Sequence, residues 1–367
     1  MNRKIVYIIT IFALMLSMTV PAVAADTDKT ETARIGAYSR FEVLEPERLD
    51  QLIEPFLKEK GLKESDFGVS LLYTATGESW NWNGDTWFGG CSLYKVPLNM
   101  LLANKVHNGE LTWDDRVCGE IAGRIQEQSL VYSKNEISER LVGYFGGYPA
   151  IRRAQKDWVG YKDKDLPGDY LQDNIYSANS MVSIFSELYE NEKLYPNVIE
   201  SLEKASPGKY FRANLEDEYT IAQKYGGSEA ELHCAGIIYT KRPLILCIML
   251  QVVPQREEII AELSEKLVEY MKDVDARLDE QLQAEERAAE EERAAEEKAA
   301  AEKKARSETE AKARETAQAA AAAAVYREEE TAAANARAAS TRIIVGVGAA
   351  AVLLAAVGLI RRKQERE

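Results

Sequence analysis

Histidine is almost missing from this chain: His107 and His233 are the only two in 367 residues. Cysteine is scarce as well, with Cys91, Cys118, Cys234 and Cys247, and no pair stands at the spacing of metal ligands. These shortages exclude a His- or Cys-built zinc site, and no cofactor or metal is expected. Four cysteines allow three disulfide pairings, or buried free thiols, and both readings stand open. A basic excess is also absent: 46 Lys and Arg face 60 Asp and Glu, a net charge of −14, which argues against a nucleic-acid face. Between residues 282 and 339 large apolar side chains all but vanish, so that stretch has nothing with which to build a core.

What is present begins with two apolar runs near the ends. Asn2-Arg3-Lys4, an apolar run over residues 5–20 and Ala22-Val23-Ala24 make the pattern of a secretory signal, expected over residues 1–24, with a polar leader over 25–44. Residues 343–360 contain only Gly, Ala, Val, Leu and Ile, near the minimum of about 18 for a membrane-spanning helix. Arg361-Arg362-Lys363 follow and favour the cytoplasmic side. The expected topology is one span (342–360) in the cell membrane, a short cytoplasmic tail (361–367) and the long N-terminal part outside. A glycolipid anchor is disfavoured because the run ends in charges.

Helical spacing over residues 45–60 has a stop at Gly61. Residues 67–74 and 79–83 read as strands around Thr76-Gly77-Glu78, and 96–106 as an apolar helix. Residues 111–140 are mixed and largely helical, interrupted at Tyr132-Ser133-Lys134-Asn135 before a helix over 136–144. Another helix is expected over 149–158, then a loop over 161–174. Ser177-Ala178-Asn179-Ser180 caps a helix whose inner face carries Met181, Ile184, Phe185, Leu188 and Tyr189. Residues 219–225 lead to a break at Gly226-Gly227, then strands over 231–239 and 244–252, the last apolar enough to be central. A helix after Pro254 buries Ile260, Leu263, Leu267, Met271, Val274 and Leu278. Helices between an early and a late hairpin predict one α+β domain over residues 45–275.

Beyond it, Glu-Glu-Arg-Ala-Ala occurs at 285–289 and again at 291–295. Alanine propensity and oppositely charged side chains three or four apart predict a helical stalk over 276–341. Sixty such residues at ~1.5 Å each would span about 90 Å. A coiled coil would need apolar a and d positions, which alanine alone supplies here.

Ser-x-x-Lys occurs three times, at Ser92/Lys95, Ser201/Lys204 and Ser206/Lys209. Only the first is followed by an apolar helix able to bury its lysine, and a buried lysine can lose its proton and activate a serine. Ser133-Lys134-Asn135 and Lys224-Tyr225-Gly226 follow in order. Singly, each is better explained by a helix cap or a surface lysine. Together the three motifs resemble those of the class A β-lactamase and penicillin-binding-protein superfamily, over roughly residues 45–272.

That resemblance implies a serine β-lactamase-like α+β fold, an antiparallel sheet flanked by helices beside an all-helical half. It implies Ser92 as acylated nucleophile, Lys95 as base and Ser133 as proton relay. Asn135, Lys224, Tyr225, Gly226 and Gly227 would bind substrate, with the Ser92 and Gly227 N–H groups as oxyanion hole. The implied partner is a β-lactam or a peptidoglycan peptide. Two departures stand out. Tyr225 occupies a position where the family carries threonine or serine. No glutamate occurs between Glu139 and Glu187, where class A enzymes hold their deacylation base, and the 161–174 loop offers only Asp163, Asp165, Asp169 and Asp173. The expectation is therefore a membrane-anchored extracellular serine hydrolase. A D,D-peptidase and a non-hydrolytic penicillin-recognising module are the alternatives.

Overall fold

A computed structural model describes residues 34–251 and 253–364. The expected signal (1–24), the start of the polar leader, Val252 and residues 365–367 lie outside the described residues. The chain divides into two compact units, one ending at Gln281 and the other beginning at Leu282.

In the first unit, α1 (Pro46–Lys60) opens with proline in its first turn and closes on Gly61 at φ +65°, a left-handed stop that glycine adopts without strain. β1 (Phe67–Tyr73) and β2 (Ser79–Trp82) form the early hairpin, and β3 (Trp87–Gly89) runs toward Ser92. α2 (Lys95–His107) follows. The mixed stretch resolves into a small hairpin, β4 (Arg116–Val117) and β5 (Glu120–Ile121), then α3 (Ala122–Leu130), α4 (Asn135–Tyr144) and α5 (Tyr148–Ala154). β6 (Ile175–Ser177) pairs antiparallel with β3, a pairing that the three-residue strands gave no pattern to reveal. α6 (Ala178–Glu190) carries the expected cap, with Ser177 and Ser180 exchanging side-chain-to-backbone hydrogen bonds. α7 (Pro196–Glu203) and α8 (Arg212–Leu215) precede β7 (Ile221–Gly227), β8 (Glu231–Ile238) and β9 (Leu244–Gln251). The last helix, α9 (Arg256–Gln364), is divided between the two units.

The sheet runs β2-β1-β9-β8-β7, antiparallel throughout. β9 is central and buried on both faces, as its unbroken apolar run requires. α6 packs on one face against β1, β9 and β8, and the core on that side continues through α2, α3, α4 and α7. Ile260, Leu263, Leu267, Met271, Val274 and Leu278 of α9 are buried. Tyr73 on β1 donates to Asp275 Oδ1 at 2.6 Å, which Arg242 also pairs at 3.1 Å, so α9 is tied to the sheet by charge as well as apolar area. Gly226 and Gly227 do not break β7: they pair with His233 and Leu232, which leaves β7 intact as a sheet edge.

In the second unit nearly every side chain is exposed. Its apolar part makes α9 the one helix among the described residues that is long and apolar enough to cross a membrane. All four cysteines are free thiols.

Candidate active site

The turn bearing Ser92 is held from two sides. Gly89 closes β3, and both its backbone groups are bound from β8: its N–H donates to Glu231 Oε1 (2.9 Å) and its carbonyl meets His233 Nε2 (2.8 Å). The Leu250 N–H donates to His233 Nδ1 (3.2 Å), so Nδ1 is bare and Nε2 carries the proton it gives to Gly89. The imidazole is thus neutral and structural. Cys91, Glu231 and His233 bring metal-ligand atom types within 4.8 Å of one another. Both histidine nitrogens are nonetheless committed to the backbone, and hydrogen bonding accounts for the cluster. On the other side, the Gly90 N–H donates to Asn174 O (2.6 Å) and Asn174 Nδ2 donates to Cys91 O (2.9 Å). Arg152, buried between the rings of Tyr170 and Tyr176, donates to Asn174 Oδ1 at 3.4 Å. Cys91 takes φ +45°, a left-handed conformation rare outside glycine, and that kink presents Ser92 ahead of α2. Ser92 therefore precedes the helix, which starts at Lys95.

Lys95 is fully buried, and its Nζ bonds Ser133 O (2.7 Å), Asn135 Oδ1 (2.8 Å) and Ser133 Oγ (3.3 Å). Among the described residues it makes no hydrogen bond to the Ser92 hydroxyl. Burial lowers its pKa to about 8, against a smaller opposing pull from Glu139. A neutral lysine has two N–H donors and one lone pair. The two short contacts go to oxygens that only accept, so they use both donors and leave the lone pair for a hydroxyl.

Lys224 is fully buried too, and it bonds Ser133 Oγ (3.0 Å) and Tyr225 O (2.8 Å). Burial first, and then the nearby Lys95 charge, bring its pKa down to about 7. The Ser133 hydroxyl therefore bridges two desolvated lysines. Ser133 itself stands at φ +52°, the second left-handed non-glycine residue in the cluster. Its backbone is positioned by a polar network that sequence reading missed. Asn99 Nδ2 donates to Lys95 O (2.7 Å) and Ser129 Oγ (2.9 Å), Ser129 meets Ser138 (2.9 Å), and Ser138 donates to Lys134 O (2.8 Å). The only signal in the sequence was polar residues at otherwise apolar helix positions.

β7 brings Lys224 and Gly226 to one face by strand alternation. A Cβ on Gly226 would lie 2.8 Å from the Ser92 backbone nitrogen and 3.0 Å from Cys91 Cβ, so only glycine lets the strand edge approach the Ser92 turn this closely. Gly227 is exposed at the end of the strand. Tyr225 stacks on Tyr210, with ring centroids 4.8 Å apart, and its ring lies 4.4 Å from Lys224 Nζ. Its hydroxyl has no hydrogen-bond partner among the described residues. The structure thus brings Ser92, Lys95, Ser133, Asn135, Lys224, Tyr225 and Gly226 together.

Among the described residues, no loop carboxylate bonds any of them. Asp163, Asp165, Asp169 and Asp173 are all exposed, and the loop residue that touches the Ser92 turn is an amide, Asn174. Glu139 accepts from Tyr94 (2.9 Å) and Tyr148 (3.1 Å).

A five-stranded antiparallel sheet with a helical half, and a serine-lysine cluster at their junction, define the class of serine β-lactamases and penicillin-binding proteins. The sequence matches the beta-lactamase enzyme family over residues 48–129 and 121–271, and the chain belongs to that family. Its fold is that of an ancestral class A β-lactamase reconstructed for Gram-negative bacteria (20% identity, TM-score 0.52, 60% of this chain and 99% of that one). Similar too are β-lactamases from Burkholderia vietnamiensis (17%, 0.53, 61% and 96%) and Chitinophaga pinensis (15%, 0.52, 59% and 97%). No curated protein sequence matches the chain.

Proposed function

We propose that this chain is a membrane-anchored extracellular serine hydrolase of the β-lactamase type that forms an acyl-enzyme on Ser92 and releases it slowly. The observation that carries the reading is the Ser133 hydroxyl held between two buried lysines, beside a nucleophile turn packed against Gly226. Lys95, neutral for part of the time near pH 7, takes the Ser92 proton directly or through Ser133 as Ser92 Oγ attacks the carbonyl carbon. The developing oxyanion meets the Ser92 and Gly227 N–H groups. Collapse breaks the C–N bond, and Ser133 passes a proton to the leaving nitrogen, resupplied by Lys95 or Lys224. Asn135 positions Lys95 and the substrate amide, and protonated Lys224 attracts the substrate carboxylate.

Hydrolysis of the resulting ester needs a base to activate water, and the loop that touches the nucleophile turn presents Asn174 there instead. This favours a β-lactam or a wall peptide as acyl donor and a long-lived adduct. A signal over 1–24, the catalytic domain over 45–275, a stalk over 276–341, a span over 342–360 and a cytoplasmic tail over 361–367 complete the proposal. They would keep the site outside the cell within reach of the wall.

Incubation of the full-length chain with a fluorescent penicillin and with a chromogenic cephalosporin tests it. Covalent labelling that disappears in Ser92→Ala, with little cephalosporin turnover, is expected. Labelling that survives Ser92→Ala sinks the assignment of the nucleophile, and rapid turnover sinks the slow release. Equal labelling of detergent-extracted and soluble fractions after cell lysis would contradict the anchor.

A further inference from the structure

At the opposite edge of the sheet from Ser92, between the β1–β2 hairpin and α6, lies a cavity of about 390 Å³ that the catalytic reading leaves unused. We propose that it is a binding site for a neutral saccharide. The volume falls in the range of small-molecule sites, about 300–1,000 Å³. Sheet register builds one wall: Ser70 faces Asn81 and Leu72 faces Ser79, so hydroxyl and amide groups from two strands point to the same side.

Ser70 carries the argument furthest. It is 3% exposed, sits on the inner face of the sheet next to its centre and lines the cavity, yet its hydroxyl has no partner among the described residues. The Ser70 hydroxyl, bound by no protein group among the described residues, opens onto the cavity, where a polar occupant can donate to it and accept from it.

The remaining lining selects the chemistry of that occupant. Asp85 is the only charged residue in it, which disfavours anions and so excludes a free carboxylate or phosphate. Its Oδ1 is fixed by the Tyr161 hydroxyl (2.5 Å) and by Asn179 Nδ2 (2.8 Å), which leaves Oδ2 as a held acceptor. Because its hydroxyl is bound at Asp85 and Ser177 (2.9 Å), Tyr161 offers a fixed ring. Leu72, Val159 and Val182 add apolar floor. Donors, acceptors and apolar surface at short range suit a pyranose, whose hydroxyls both donate and accept and whose ring C–H face is apolar. β9 and β8 separate this cavity from the strand beside Ser92, three strand spacings or roughly 14 Å. The inference does not depend on acyl-enzyme chemistry.

Calorimetric titration of the full-length chain in phosphatidylcholine nanodiscs with N,N′,N″-triacetylchitotriose (chitotriose below) tests it. Binding with a dissociation constant of about 1 mM or tighter is expected. Ser79→Phe, on the exposed edge strand, should fill the cavity and weaken binding at least 10-fold. Asp85→Asn, which keeps the shape but replaces an acceptor oxygen by a donor, should weaken it several-fold. Penicillin labelling at Ser92 should be unchanged in both, which also shows that they fold. No chitotriose binding to the unmodified chain, or binding that survives Ser79→Phe, overturns the proposal. Loss of labelling together with binding would instead place the effect on the fold and overturn the separation of the two sites.

Discussion

The two sides of the Ser92 turn are built differently. On the β7 side, two buried lysines, a serine with left-handed backbone and a strand edge that admits only glycine converge within hydrogen-bond distance. On the loop side, the turn is clamped equally firmly, by Asn174 with Arg152 behind it, but with amides and a cation rather than a carboxylate. The first side holds groups whose proton affinity has been moved toward neutrality. The second holds position only. Rigidity and reactivity are therefore separable here: a loop can hold the Ser92 turn in place without presenting a carboxylate to it.

The largest effect that can break this contrast is Lys95→Met. It removes the proposed base while keeping a buried unbranched side chain, and should lower the acylation rate constant by about 10²–10⁴-fold in stopped-flow labelling. A rate within 10-fold of the unmodified chain would move the base elsewhere. Gly226→Ala comes next. Its Cβ must displace backbone of the Ser92 turn, so acylation should fall by about 100-fold, and the overpacking should lower the melting temperature by a few degrees.

The lysines also set a pH signature. Neutral Lys95 grows as pH rises through about 8, and protonated Lys224 is lost as pH rises through about 7. Acylation by a carboxylate-bearing penicillin should therefore rise to a broad optimum near pH 7–8 and decline above it. Lys224→Met should lower the rate roughly 10–100-fold and remove the descending limb. A descending limb that persists in Lys224→Met contradicts the assignment.

The same two lysines make stability depend on pH as well. Both lysines have folded pKa values below their unfolded value of 10.5, so the unfolded chain binds more protons between about pH 7 and 10.5. The two lysines should accordingly raise resistance to urea as pH rises from about 7 to 8, below the range where ionisation of the buried cysteines and tyrosines acts the other way. Lys224→Met should stabilise the first unit at pH 7 by roughly 2–4 kcal/mol, since it abolishes the burial of a charge at the loss of two hydrogen bonds. A destabilised Lys224→Met chain would show that the lysine is not desolvated as the structure has it.

Much of this architecture was legible in the sequence because periodicity and burial coincide there. β9 reads as continuous apolar residues, α6 as a serine cap followed by a 3.6-residue stripe, and the three motifs as short strings in order. Elements shorter than the window over which periodicity can be counted were not: β3 and β6 are three residues each, and their pairing is what delivers Ser92. Gly226-Gly227 was misread as a break because glycine punctuates strands more often than it allows a close approach within one. The supports of the site, Asn174, Glu231, His233, Asn99 and Ser138, act through single long-range hydrogen bonds, and spacing along the chain carries no trace of those. The absence of a glutamate between Glu139 and Glu187 was plain from the sequence. That the loop still reaches the turn, through Asn174, was not.

The central claim is that Ser92 is acylated and the adduct persists. Intact-mass measurement of the full-length chain after a brief exposure to benzylpenicillin, followed by removal of free drug, tests it directly. An increase by the whole mass of the penicillin, absent in Ser92→Ala and still present after hours at pH 7, is predicted. A mass that returns to that of the free chain within seconds, with stoichiometric release of penicilloate, would contradict it and require a deacylating base at the Ser92 turn.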